Sequence, residues 1–327
     1  IRFVDIPHWR EEVSDENFLD VFSEAFAQRC DALAKEYAAP RKDDPYLMGY
    51  AMIDCPLYTE EDCRQRPNVI GGAPRMARVG WPRRLRNVGQ EAPGKQAYVA
   101  LIRNIYDTIE DFNATYNTDF QSYEQLEQKV NWRLDTHLSN GNETRDNIEF
   151  LKSVVSKYYQ TARDAIHKYD PNHLFVGDKL NGNTDTVDTL LPITSQYTDI
   201  IFYQMYGRSD YHLSGLNRWA GRVDKPFING DAAFTMVSPN MPRPYGPVAD
   251  DIQQRAAWTQ EFFQQAFARK EFVGWHYCGL INAPNLIERK RERQHSGLMD
   301  AYGEPYPMLQ QVISSCAKQM YQIASAG

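Results

Sequence analysis

An α/β fold, a (β/α)8 TIM barrel with its first strands absent from this chain, is the class the sequence predicts. Three observations predict it. Apolar runs of strand length recur without polar interruption, as parallel strands buried on both faces require. Segments with helical periodicity separate them, so strands and helices alternate as βαβ units with right-handed crossovers. Acids, amides and aromatic residues gather just after the runs, where barrels of this type place their sites.

In chain order, residues 1–6 (IRFVDI) are β-branched and stop at Pro7, which reads as the tail of a strand. Residues 14–38 predict an amphipathic helix, with Phe18, Val21, Phe22, Phe26, Cys30, Leu33 and Tyr37 on one face and Ser14 or Asp15 as its cap. Residues 46–53 (YLMGYAMI) form a buried parallel strand. Residues 54–94 are rich in Pro, Gly and Arg and are far longer than an ordinary βα loop, so a long loop insertion is expected there. Helical spacing returns at 96–116, at 123–130 and, most regularly, at 144–169, which Asp170-Pro171-Asn172 ends. Strands follow at 173–177, 199–205, 226–229 and 272–277. Helices are expected at 186–191, 216–223, 250–270 and 308–325. That gives five strands and the opening fragment where a closed barrel needs eight. The reading is one barrel domain over 1–327, from the end of strand 3 to strand 8.

Composition excludes several classes. The net charge of −7 leaves no electrostatic footprint for nucleic acid. Basic residues cluster at 75–86 and 289–293, either as solvated loop charge or as contacts for an anionic, sulfated or uronic polysaccharide. No apolar stretch is long enough to span a membrane. The five cysteines have no disulfide or zinc spacing, and the seven histidines are scattered, so neither metal nor cofactor is expected. No GxGxxG follows a strand and no P-loop is present. The chain opens on Ile1, as a processed or excised sequence would. The expected location is secreted or periplasmic. The 20 Tyr and 6 Trp supply flat platforms with polar tips that suit pyranose faces, although cores use the same residues.

The strand ends deliver specific groups. The 46–53 strand runs into Asp54-Cys55-Pro56, and 173–177 into Asp178-Lys179-Leu180-Asn181. The 199–205 strand carries Tyr203 with Tyr206 just beyond, 226–229 runs into Gly230-Asp231, and 272–277 carries Trp275 and His276. A polar sugar needs such a set. Each residue also has a plainer reading. Asp54 is equally a loop-capping turn residue. Asp231 is equally a helix cap or an Arg partner. Asp178 is equally half of a structural ion pair, His276 a satisfied core histidine and Trp275 part of the wall. His295 lies after the last strand, within reach of a cleft. Cys55 as a nucleophile would require a histidine that no spacing supplies.

Here the sequence resembles a family. Pro45-Tyr46-Leu47-Met48-Gly49-Tyr50 resembles the strand-4 segment of clan-A-like glycoside hydrolases, and Lys225-Pro226-Phe227-Ile228 with Gly230-Asp231 their strand-7 segment. The segments 92–99 (APGKQAYV) and 168–174 (KYDPNHL) are similar to bacterial agarase-like and β-galactosidase-like sequences. Residues 273–277 look like strand 8, and 294–298 and 303–306 like the closing segment. The resemblance implies a glycoside hydrolase acting on a polysaccharide or oligosaccharide by two carboxylates, Asp54 as general acid/base and Asp231 as nucleophile or second carboxylate. It implies sugar binding by Asp178, Tyr203, Tyr206, Trp275, His276 and His295. The sequence departs from the family at both positions where a Glu is expected, strand 4 reading Asp54-Cys55 and strand 7 Asp231. Asp-Cys-Pro resembles a bacterial subgroup in which Asp54 is a regular feature. Two rivals stand beside this reading: a carbohydrate-binding relative without catalysis, and a polysaccharide lyase on the same scaffold.

Overall fold

The computed structural model of the chain describes residues 2–5, 20–65, 79–133, 141–236, 246–282 and 296–326. Helices alternate with parallel strands, as the apolar runs require, and the chain falls into two compact units. The first holds residues 1–178 and 184–199, the second 179–183 and 200–327.

In the first unit, β1 (Arg2–Asp5) pairs in parallel with β2 (Leu47–Asp54), so the opening fragment is a strand. The helices α1 (Glu24–Tyr37), α2 (Glu60–Gln65), α3 (Trp81–Leu85), α4 (Pro93–Ile105), α5 (Ile109–Tyr116), α6 (Tyr123–Gln128) and α7 (Gly141–Tyr169) lie in this unit. The helix α1 starts at Glu24, later than the expected residue 14, and its cap is Ser23, whose hydroxyl accepts from the Phe26 amide at 3.2 Å; Ser14 and Asp15 lie outside the described residues. The apolar face of α1 meets α7, with Phe26 5.8 Å from Tyr158, and Phe22, just before α1, stacks on Phe150. The 54–94 segment is more regular than its composition suggests, since its described parts carry α2, α3 and the start of α4.

The strand β3 (Leu174–Asn181) begins in the first unit, where α8 (Thr186–Tyr197) also lies, and its last residues belong to the second. Its Gly177 has φ +68°, and a Cβ there would meet Thr198 Cγ2 at 2.9 Å. Only glycine satisfies both conditions.

In the second unit the parallel order is β3, β4 (Ile201–Gln204), β5 (Phe227–Ala232) and then β8, with a short parallel pair β6 (Thr235–Met236) and β7 (Val248–Ala249) between β5 and β8 in sequence. The strand β8 (Phe272–Tyr277) has the bounds the sequence predicts. Its registers are Phe227 to Phe272 but Ile228 to Gly274, so Val273 is an extra residue in a bulge. The described residues of the unit also hold α9 (Ser209–Ala220), α10 (Ile252–Phe267) and α11 (Pro307–Ala326). Tyr203, Trp219, Phe227, Phe262 and Phe272 form an aromatic layer between strands and helices.

Candidate functional site

Two polar groups form at the C-terminal ends of the strands, one in each unit.

In the first unit, β2 ends on Asp54, whose side chain is exposed, and the chain turns sharply at Cys55, which is buried with φ +48°. Left-handed backbone at a residue with a Cβ costs about 1 kcal/mol and must be held by its surroundings. Beside it, Asp178 is 1% exposed. Its Oδ1 accepts from the Ile53 amide at 2.8 Å and from the Tyr158 hydroxyl at 3.4 Å, and its Oδ2 accepts from the Tyr58 hydroxyl. Burial pushes the Asp178 carboxyl up to about 7, against the donors that favour the charged form. The groups that meet the Asp178 carboxylate are thus protein donors.

A second buried acid there, Asp62, is saturated by the Tyr58 and Thr59 amides and by the Thr184 and Thr186 hydroxyls, all within 2.6–3.1 Å. It ties α2 to the start of α8.

In the second unit Asp231, near the end of β5, is half-buried. Lys179 Nζ lies 3.2 Å from its Oδ2, the two side chains being 13% and 17% exposed. The Asp231 carboxylate also acts on the Tyr206 hydroxyl and the Cys278 thiol. Burial, then the Asp231 charge, push the Tyr206 hydroxyl far up, and burial with the Asp231 bond pushes the Cys278 thiol up to about 12. Both are therefore protonated donors near neutral pH, and Cys278 is no nucleophile. The backbone of Tyr206 is pinned by a reciprocal pair: its amide donates to Asn183 Oδ1 at 2.8 Å and its carbonyl accepts from Asn183 Nδ2 at 2.7 Å. Asn229 Oδ1 accepts from the Asp231 amide at 3.2 Å. A Cβ at Gly230 would sit 2.1 Å from the Phe202 ring and 2.9 Å from Lys179 Cδ, so the lysine reaches Asp231 only over a glycine.

The other expected contacts divide. His276 is exposed and its Nδ1 lies 3.1 Å from the Gly230 carbonyl, to which it donates. Trp275 turns the other way: its Nε1 donates to the Ala232 carbonyl at 3.0 Å and its ring packs 4.5 Å from Phe262. Tyr203 is fully buried, with its hydroxyl 2.5 Å from His212 Nε2 in the aromatic layer. Both rings pack against aromatic neighbours, Tyr203 on Trp219 and Trp275 on Phe262. His295 lies outside the described residues. Lys179 and Cys278 escaped the sequence reading; their only signal was position immediately after predicted strands. Among the described residues no group of three or more His, Cys, Asp and Glu side chains is placed to hold a metal ion. No described helix is long and apolar enough to cross a membrane.

A carboxylate at a strand end, served by an ammonium, a phenol and a thiol, can act as a nucleophile or can stabilise a developing cation. Comparison with known proteins bears on the chain as a whole. No family model matches the chain. Its sequence is 22% identical over 311 residues to β-agarase B of Vibrio sp. (strain JT0107), covering 93% of this chain and 30% of that protein. It is 24% identical over 227 residues to β-agarase A of the same organism, covering 67% and 22%. The chain thus spans less than a third of the length of either relative. Among solved structures, an exo-β-agarase has a TM-score of 0.77 at 20% identity, covering 94% of this chain and 40% of that one. The agarase AgWH50C has a TM-score of 0.77 at 20% identity, covering 93% and 41%. A β-galactosidase from Marinomonas ef1 has a TM-score of 0.60 at 12% identity, covering 94% and 44%. These structural likenesses show the fold. In sequence the chain is similar to these β-agarases.

Proposed function

We propose that the chain is the strand-4-to-strand-8 part of a (β/α)8 glycoside hydrolase that cleaves glycosidic bonds in a polysaccharide or its oligosaccharides. Agarose is the first substrate to test, because both sequence relatives are named as agarases. The observation that carries the reading is the Asp231 group: a half-buried carboxylate at a strand end, held by Lys179, Tyr206 and Cys278. Glycoside hydrolysis requires one carboxylic acid to protonate the leaving oxygen and a second carboxylate as nucleophile or as base for water. Asp231 takes the second role and Asp54, exposed at the end of β2, the first. Tyr206 and His276 present polar tips to the sugar. Kinetics of Asp231→Asn and Asp54→Asn test the assignment. Loss of turnover by more than about 1000-fold in each supports it, and full activity in either removes that residue from the mechanism.

One observation favours a second reading, a carbohydrate-binding relative without catalysis. The Lys179 ammonium already neutralises Asp231, as a structural ion pair would. Saturable binding of agaro-oligosaccharides without release of reducing ends would select it. Ultraviolet absorbance from an unsaturated product would select a lyase instead.

A further inference from the structure

Asp178 has no part in the proposed chemistry, yet both of its oxygens are held by protein donors. The titratable groups that face it are Tyr58, from the segment after β2, and Tyr158 and Tyr159, from α7. Tyr58 stacks on Trp81 at 5.5 Å, Trp81 meets Tyr158 at 5.2 Å and Tyr158 meets Tyr159 at 5.4 Å, so this wall leaves the side chain no room to swing. The Tyr159 hydroxyl accepts from the amide of Asp178 itself at 3.4 Å. What this assembly grips is the Ile53 amide, at 2.8 Å. Ile53 immediately precedes Asp54, and Asp54 immediately precedes the left-handed turn at Cys55.

We propose that Asp178 is a positioning residue: by holding the Ile53 amide it fixes the end of β2, and with it the direction in which the Asp54 carboxylate is presented. The inference rests on the reading of Asp54 as general acid/base. Asp54 sits between two constraints, the gripped amide on one side and the turn on the other. A carboxylate accepts a stronger hydrogen bond than a neutral carbonyl. When Asp178 is ionised, both of its oxygens accept. When it is protonated, one oxygen must donate, the Tyr58 hydroxyl has to turn round, and the hold on Ile53 weakens. Burial brings this change to about pH 7. The presentation of Asp54 therefore sharpens as the pH rises through neutrality.

The test uses the full chain and two readouts. In 15N-labelled protein titrated from about pH 5 to 9, the amide resonances of Ile53, Asp54 and Cys55 are expected to shift together with a midpoint near 7. That titration is expected to persist in Asp54→Asn and to vanish in Asp178→Asn. Tyr58→Phe removes a donor that favours the charged form, so it is expected to move the midpoint upward. In kinetics on agaro-oligosaccharides, Asp178→Asn is expected to lower kcat by about 10- to 100-fold with KM nearly unchanged, and to erase the pH-profile limb near neutrality. Three amides that do not titrate together, or an Asp178→Asn variant with unchanged kcat and pH profile, would overturn the proposal. If the wild-type chain has no activity, the hydrolase reading fails while the amide titration still decides the positioning claim. Where Asp178→Asn does not fold, the wild-type and Tyr58→Phe titrations decide it.

Discussion

Replacing Asp178 by Asn should change how stability depends on pH, by an amount that follows from the structure. The Asp178 carboxyl stands at about 7 in the folded chain against an ordinary value of 3.8, because it is buried. The difference, 7 − 3.8, is about 3 units, and each unit is worth about 1.4 kcal/mol. The sign is that of a raised acid. Below pH 4 both states hold the proton and the contribution is fully present. Between about 4 and 7 the unfolded chain loses its proton while the folded chain keeps it, so stability falls as pH rises, by at most about 4 kcal/mol. His212 opposes this trend: burial lowers its value from 6.5 to about 3, so its contribution is present above 6.5 and lost as pH falls toward 3. Wild-type stability alone therefore reports a sum, and the difference between wild type and Asp178→Asn isolates the carboxyl. Asn has nearly the same shape and can donate to the Tyr58 oxygen. Urea unfolding followed by circular dichroism at half-unit steps should show the variant gaining on wild type by about 2–4 kcal/mol between pH 4 and 8. A difference that stays flat across that window would refute the argument that burial dominates at Asp178.

Other outcomes follow from the same structure. Lys179→Met should leave the fold within about 1 kcal/mol, because the ion pair is half-buried, and should lower turnover, read by reducing-end release, since Asp231 loses its cationic neighbour. Tyr203→Phe deprives buried His212 of its partner and should cost about 1–2 kcal/mol in thermal or urea unfolding with catalysis unchanged. Glu143→Gln breaks a fully buried acid away from Arg86, at 3.0 Å, and Arg133, at 3.1 Å, and should cost about 3–5 kcal/mol by the same measurement. Gly177→Ala should cost about 1–3 kcal/mol, since φ is +68° and Thr198 Cγ2 stands 2.9 Å from the new Cβ.

The alternation of strands and helices was legible because each strand is a run of apolar residues and each helix has a periodic face. The boundaries that moved have identifiable causes. The helix expected at 186–191 continues to Tyr197 through Pro192, with Leu190, Leu191 and Thr194 buried on one face outweighing a single lost amide. The start of α9 was missed because its first buried positions are Ser209 and His212, polar residues that hide the periodicity. Within the site, chain position identified Asp54, Asp231, Tyr206 and His276 as strand-end groups. It did not separate Asp178 from Lys179, adjacent in one strand, where the first is walled in by tyrosines and the second meets Asp231. Nor did it place Trp275 and Tyr203, because the face a strand residue takes depends on register, and the bulge at Val273 resets the register of β8.

The central claim is hydrolysis in which Asp231 is the second carboxylate. The most direct measurement is the release of new reducing ends from agarose and agaro-oligosaccharides by the purified chain, wild type beside Asp231→Asn. The account predicts steady release by wild type, with shorter oligosaccharides as products, and none by a variant that still folds and still binds the sugar. No release by wild type, or equal release by both proteins, would contradict it.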